Sequence, residues 1–206
     1  VILEASSMSF FVKEAIATVV DRVIVCETRE NHWIAKSETK GDIQDADRLA
    51  RLLRMGEFQE VHIPERPRQE IRELVLGYRK AVGDVVRAKN RLNAAYKKHG
   101  IAITSEAYDP DGRAAWVKRL GRPSPQALVE AQYGILDAAA CAQGMLGARL
   151  HGILSHTKEY RLLCTLPGVG PVVAAMFIAV IDAPERFATK RKLWAYAGLG
   201  LRRQWS

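Results

Sequence analysis

The chain has few cysteines and no long apolar run. Its 206 residues include three widely spaced cysteines with no Cys-x-x-Cys pair, namely Cys26, Cys141 and Cys164. An odd, scattered set of this kind argues against a disulfide framework and indicates reduced thiols in a cytoplasmic protein. The longest apolar run, residues 172–181, is too short to cross a bilayer, so we expect no membrane partner. The five histidines show no ligand spacing, which argues against a zinc site.

Positive charge is what the chain has in excess. The formal net charge is +8, the pI is near 9.6, and 48% of the residues are hydrophobic. That hydrophobic share supports a packed core in one or two domains. The positive charge predicts a polyanionic partner, and nucleic acid fits better than a membrane surface.

The first part of the sequence, residues 1–62, has the pattern of a mixed α/β domain. Short apolar strands are predicted at residues 1–3 and 22–26, the second of the buried parallel kind, with a helix over 8–20 between them. A further helix is predicted over 45–55, with Ala46, Leu49, Ala50, Leu52 and Leu53 on its inner side and Gly56 at its end.

The middle part, residues 63–157, is predicted to be a basic helical region. Over 64–98 an apolar heptad pattern is flanked by ten cations and four acids, and a second helix is predicted over 126–156. The two would form an antiparallel pair, or a coiled coil that also binds a second chain. A solvated charged face is the usual explanation for such a run, but we favour a surface that contacts nucleic acid. Its expected ligands are Arg79, Lys80, Arg87, Lys89 and Arg91.

The last part, residues 158–206, is predicted to be a small helical domain around the turn Pro167-Gly168-Val169-Gly170. Two glycines at a helix start leave backbone amides uncovered, as in a helix-hairpin-helix that grips phosphate without reading sequence. The alternative is a plain tight turn between core helices. A second basic cluster follows, interleaved with Trp194, Tyr196 and Trp205, although Trp194 in particular could be a core residue. Its cations are Arg186, Lys190, Arg191, Lys192, Arg202 and Arg203.

Three acids and a serine are the candidates for chemistry on a phosphodiester. Glu4 follows the first strand, while Asp42 and Asp45 share one face around a helix start. Carboxylates that converge from separate elements suit a divalent metal. A carboxylate at a helix start is, however, more often a cap than a ligand. Ser206 stands beside arginines that would stabilise an attacking alkoxide.

Taken together, these segments resemble the DEDD-type insertion-sequence transposases. The matching motifs are Glu4-Ala5-Ser6, KGDIQDADRLA at 40–50, the basic helix at 66–98, LCTLPGVGPVVA at 163–174 and RFATKRKLWAYAGL at 186–199. Gly41 stands where the family usually has Thr, and Leu201 where it usually has Pro.

The resemblance implies a partial RNase H-like, RuvC-like domain followed by a serine transposase domain of an RNA-guided DNA recombinase. Glu4, Asp42 and Asp45 would be the last three of four acids that bind Mg²⁺, and Ser206 would attack a DNA phosphate. The implied partners are DNA and a structured guide RNA, in the bacterial nucleoid. Because the first acid would precede residue 1, we expect an incomplete piece of such a protein.

Two other functions remain open at this point. One is a non-catalytic helix-hairpin-helix module that only binds DNA. The other is a metal-dependent nuclease, similar to a Holliday-junction resolvase, in which the acids do all the chemistry. The heptad pattern also predicts a homo-oligomer, a dimer or larger.

Overall fold

The structure is a computed structural model that describes residues 1–27 and 41–197. The described part is mostly helical with one small parallel sheet. The chain divides into two compact units, residues 1–65 and 66–206. The finer division into 1–62, 63–157 and 158–206 stays a prediction. No helix in the described ranges is long and apolar enough to cross a membrane.

The first unit is built on two short parallel strands. β1 (Ile2–Glu4) pairs with β2 (Ile24–Cys26), and Glu4 lies opposite Cys26. α1 (Ser9–Ile16) lies between them in the chain, four residues shorter at its C-terminal end than predicted. The other edge of β2 bonds residues 59–61, because the Val61 amide donates to the Val25 carbonyl over 2.7 Å. With neighbours on both edges, β2 is completely buried, as its β-branched sequence predicts.

The second helix of this unit, α2 (Asp42–Met55), packs against β1. It ends at Gly56, whose φ of +73° is a left-handed conformation that glycine adopts without steric cost. Leu52 is buried, and Leu49 and Leu53 are half-buried, as predicted. Ala46 and Ala50 are exposed instead, because the buried face of the helix is narrower than the apolar pattern suggested.

The second unit is organised around two antiparallel helices of 32 residues each, α3 (Arg66–Lys97) and α5 (Pro123–Leu154). Both have a proline in the first turn, where its missing amide costs nothing. The shorter helices are α4 (Arg113–Lys118), α6 (Lys158–Cys164), α7 (Pro171–Ile181) and α8 (Lys190–Tyr196), with 3₁₀ turns at Ser105–Tyr108 and Pro184–Arg186.

One core lies at the end of this pair where α3 finishes and α5 begins. Leu92 and Tyr96 of α3 pack against Val129 and Tyr133 of α5, and α4 covers them with Val117. The Tyr133 hydroxyl donates to the Ala107 carbonyl over 2.7 Å and lies 3.2 Å from the Tyr96 hydroxyl. A carbonyl can only accept, so the Tyr96 hydroxyl must be the donor to Tyr133.

A second core lies at the other end and includes the hairpin formed by α6 and α7. Ile71 and Val75 of α3 and Leu154 of α5 pack against Tyr160 of α6 and Ile178 of α7. This core contains residues from both sides of the domain boundary that the sequence predicted at residue 157. The helical pair and the hairpin therefore share one interior.

An unusual backbone conformation ends α7. Asp182 has φ +60° and ψ −91°, the only positive φ of a non-glycine residue in the described ranges. Its carboxylate lies 3.4 Å from Nε of Arg68, in the first turn of α3. Because a non-glycine residue rarely adopts this φ, the conformation needs support from its surroundings. The half-buried ion pair and the core beneath it supply that support.

Candidate nucleic-acid interface

The most extended basic surface follows one side of α3. Lys80, Arg87 and Arg91 are spaced seven and four residues apart, so they lie on one face of the helix. Lys98, seven residues further on, directly follows the last residue of α3, and its amide still donates to the Ala94 carbonyl over 3.2 Å. We call these four residues the α3 cation stripe. All four are exposed, and Arg87 forms an ion pair with Asp84. Within the described residues, no carboxylate pairs with the other three, so their charge is available to a partner.

The two other cations predicted on α3 lie off this stripe. Arg79 is exposed one position before Lys80, on an adjoining face. Lys89 is exposed, with its ammonium 5.0 Å from the centre of the Tyr108 ring. That cation–π contact holds the Lys89 side chain against the end of the helical pair.

The predicted glycine turn joins α6 and α7. Gly168 has φ +81°, and the Val169 amide donates to the Leu166 carbonyl to close the turn. In the described part of the chain, the amides of Gly168 and Gly170 have no backbone acceptor. Both glycines are exposed, and α7 begins at the next residue. Uncovered amides at the start of an 11-residue helix form a favourable environment for an anion.

The second basic cluster separates into a structural and an exposed part. The Arg186 guanidinium lies 4.4 Å from the Phe187 ring centre and 4.7 Å from that of Tyr196, and its Nε donates to the Ile181 carbonyl. The Arg186 side chain thus connects the end of α7 to α8. Lys190, Arg191 and Lys192 are exposed on the first turn of α8. Their role, like that of Arg186, stays a prediction.

Trp194 differs from the expectation that it is a core residue. It is 50% exposed and lies 5.9 Å from the Lys190 ammonium. Tyr196 is 46% exposed as well. Arg202, Arg203, Trp205 and Ser206 lie outside the described residues, so the geometry of the candidate nucleophile is not part of this structure.

The acids lie on two adjacent elements of the first unit. Glu4 is the exposed last residue of β1, and Asp45 is in the first turn of α2, which packs against β1. The Asp45 carboxylate accepts from Arg48 over 2.9 Å. Asp42 begins α2, but its side chain is outside what the structure describes. Among the described side chains, no three potential ligands gather around one point.

These acids fit Mg²⁺ in chemistry, because it prefers carboxylate oxygens. Glu4 ends β1 and Asp45 lies in the helix that packs against β1, but the described side chains do not converge on one point. If Asp45 binds a metal, the ion has to replace the Arg48 guanidinium as the partner of the Asp45 carboxylate.

A groove in the second unit has no counterpart among the predictions from the sequence. It has a volume of about 250 Å³ and lies between the last turns of α3 and the first turns of α5. Its polar members are Arg91, Lys98, His99 and Gln132, and its apolar members are Ala94, Ala95, Pro125, Leu128 and Val129. The Gln132 Oε1 atom is buried and has no hydrogen-bond partner in the described part of the chain. Only the basic residues gave a signal in the sequence.

Both ends of the chain match known transposases. Residues 6–100 match a DEDD-type IS110 model described as "Transposase", and residues 160–206 match the model "Transposase IS116/IS110/IS902 family". The chain thus carries sequence similar to two IS110-family transposase domains. The resemblance predicted from the motifs is confirmed at this level, while the serine chemistry and the RNA guide stay predictions.

A curated relative matches across most of the chain. "Putative transposase y4qE" of Sinorhizobium fredii (strain NBRC 101917 / NGR234) is 28% identical over 163 residues. That alignment covers 78% of this chain and 39% of the relative, so the chain spans well under half of that protein's length. The first family match includes Asp42, Asp45 and the α3 cation stripe, and Glu4 lies two residues before it. The second includes the glycine turn, α8 and Ser206.

Proposed function

We propose that this chain is part of an insertion-sequence transposase that cuts and rejoins DNA. The observation that carries the proposal is the position of the exposed basic surfaces inside the two transposase matches. The first match ends just past the α3 cation stripe, and the second contains the glycine turn and the first turn of α8. Contacts of both kinds, side-chain cations and backbone amides, bind phosphates without regard to sequence.

The chemistry in this proposal belongs to the acids and to Ser206. Glu4, Asp42 and Asp45 would hold Mg²⁺, which when bound neutralises charge that develops on a phosphate under attack. The Ser206 hydroxyl would attack the DNA phosphorus and displace a deoxyribose oxygen. The product is a serine–DNA phosphodiester, which keeps the bond energy needed for rejoining.

The remaining parts of the proposal come from the resemblance. The first unit would be the partial RuvC-like domain, and its β1–α1–β2 order is compatible with that fold. The protein would act in the bacterial cytoplasm at the nucleoid, as a homo-oligomer, with a structured guide RNA beside its DNA.

Trapping experiments on supercoiled DNA with Mg²⁺ test the chemistry. Because the first of the four implied acids is not in this chain, the experiment uses the longer transposase of which the chain would be a part. We expect that protein to form a protein–DNA adduct that survives denaturation, and we expect Ser206→Ala to lose the adduct while it keeps DNA binding. The matched control is Ser155→Ala, a half-buried serine just after α5, which should leave the adduct unchanged.

The two alternative functions give different outcomes. Strong DNA binding with neither adduct nor cutting would favour the non-catalytic module. Cutting without an adduct, abolished by Glu4→Gln or Asp45→Asn but not by Ser206→Ala, would favour the resolvase-like nuclease.

A further inference from the structure

We propose that the groove between α3 and α5 holds one unpaired base of DNA while the α3 cation stripe holds the adjoining phosphates. This inference rests on the proposed function only in assuming that the chain binds DNA. The structural observation is that an apolar groove, a basic stripe and a buried acceptor without a donor meet at one place.

The stripe leads directly into the groove. Arg91 and Lys98 belong both to the α3 cation stripe and to the groove lining. Lys80 and Arg87 continue the same face for about 27 Å from Lys80 to Lys98, at 1.5 Å per residue. No acidic side chain is among the described residues that line the groove. A phosphate backbone along α3 would therefore have attractive contacts up to and beside the groove.

The groove itself suits a flat ring with polar edges. Its volume of about 250 Å³ lies just below the range of ~300–1,000 Å³ typical of pockets for drug-sized ligands. Leu128, which is 56% exposed, offers an apolar surface, and the His99 imidazole and Arg91 guanidinium are planar groups of the kind on which bases stack. A single base fits this mixture of apolar, planar and cationic groups better than an aliphatic chain does, because an aliphatic chain would make no favourable contact with the cations.

Gln132 supplies the polar contact. Its buried Oε1 lacks a donor in the described residues, which is costly for a folded protein. Because this atom is covered from solvent, the Gln132 side chain has to turn into the groove to meet a base. An amino group on the edge of the base then donates to Oε1, and the amide NH₂ donates to the neighbouring ring nitrogen or carbonyl. A paired base could not enter, because its edge is occupied and it is stacked on both faces. The expected ligand is thus a base in a bulge, a mismatch or a single strand.

The experiment compares the full chain on three DNAs of equal length: a perfect duplex, a duplex with one bulged 2-aminopurine, and a single strand that carries it. We expect the bulged duplex to bind about tenfold more tightly than the perfect duplex, and 2-aminopurine fluorescence to change on binding. Leu128→Trp should fill the groove, reduce the preference for the bulge to less than twofold, and leave affinity for the perfect duplex unchanged.

Two further variants make the test specific. Ile135→Trp, two turns further along α5 and 44% exposed, is the matched control that should keep the preference. Gln132→Leu keeps the size of the side chain but removes both polar atoms, and should lower bulge affinity about threefold to tenfold.

The outcomes separate this inference from the proposed function. Equal binding of bulged and perfect duplexes, or a bulge preference that Leu128→Trp does not change, would overturn the groove assignment while DNA binding stands. A fourth ligand, an RNA duplex with the same bulge, tests the choice of nucleic acid, and tighter binding to it than to the bulged DNA would overturn the assignment to DNA. Failure to bind any of the DNAs would overturn both proposals.

Discussion

α3 and α5 have the same length and share two cores, yet their outer surfaces differ. α3 has nine Lys or Arg residues and three acids, while α5 has one Arg and two acids. The outer side of α5 is instead composed of small residues, with Leu128, Ile135 and Met145 also exposed. Both helices contribute their buried faces to the same packing, so the fold does not require the charge of α3. The difference supports the proposal that α3 binds a polyanionic partner.

The largest expected effect comes from removing that charge. The triple variant Lys80→Gln, Arg87→Gln and Arg91→Gln should weaken DNA binding about 100-fold to 1,000-fold near 0.1 M salt, because each lost phosphate contact removes a released counterion. The slope of log affinity against log salt should decrease by about three. Fluorescence anisotropy across a salt series measures both quantities.

The matched control puts the same change in net charge on the other helix. Ala127→Glu, Ala138→Glu and Ala148→Glu replace exposed residues of α5. If overall charge alone drives binding, both triple variants will be equally impaired, and the contrast between the helices will be lost. We expect the α5 variant to stay within about threefold of the original chain.

The next effect concerns the polar link between the helices. Tyr133→Phe leaves the buried Ala107 carbonyl without its donor and the Tyr96 hydroxyl without its acceptor, which should cost about 2 kcal/mol of unfolding free energy. Burial, with Tyr133 beside it, raises the pKa of Tyr96, so its hydroxyl stays protonated and able to donate. Tyr96→Phe should cost about 1 kcal/mol, because Tyr133 keeps its bond to Ala107. Equal losses in urea titrations would contradict this order.

A smaller loss of DNA affinity is expected from changes in the glycine turn of the hairpin than from changes in the α3 cation stripe. Gly170 has an extended conformation open to any residue, and an added Cβ would meet nothing within 4 Å. Gly170→Ala should therefore fold normally but weaken DNA binding a few-fold on every sequence, by crowding the free amides. Gly168→Ala is the companion variant, since its φ of +81° should make it lose about 1 kcal/mol of stability as well. Unchanged binding by Gly170→Ala would remove the hairpin from the interface.

The smallest effect concerns one of the few charges on α5. The Arg113 guanidinium donates to Asp137 over 2.7 Å and lowers the pKa of that carboxyl. A lowered pKa means that the stabilisation is present above the unfolded value of about 4 and is lost as the pH falls through the folded value. Asp137→Asn should be less stable by at most about 1 kcal/mol at pH 6, since Asp137 is exposed. This gap should close as the pH falls through the folded pKa of Asp137, which urea titrations of both proteins across a pH series would measure.

Much of the fold could be predicted because its signals are local. The heptad pattern of α3 gave the buried positions Ile71, Ala81, Ala88 and Leu92, and the β-branched run gave β2. α4 was missed, because six residues with a small apolar face give too little periodicity. The roles of Tyr96 and Tyr133 were missed for another reason: their hydroxyls meet across 37 positions in the chain.

The candidate site was predictable in part. Exposed cations and the glycine turn follow from composition and local backbone. The structure describes the predicted cations of α3 and α8 as exposed and places the turn between α6 and α7, while their binding role stays a prediction. The structural use of Arg186 was not predictable, because it depends on Phe187, Tyr196 and the end of α7 meeting in space. The groove was not predictable either, because it too forms only where residues that are distant in the sequence meet in space. Gln132 is unremarkable in the sequence and gains interest only from its burial beside Arg91 and Lys98.

The pairing of Arg68 with Asp182 ties the beginning of α3 to the end of the hairpin's second helix. Ile71 and Val75 share a core with Ile178, so apolar packing joins the same two helices. The packed core and the ion pair therefore set the distance between the glycine turn and the basic side of α3. A strand that contacts both has to adapt its own curvature to that distance, and easily deformed sequences will do so at the lowest cost.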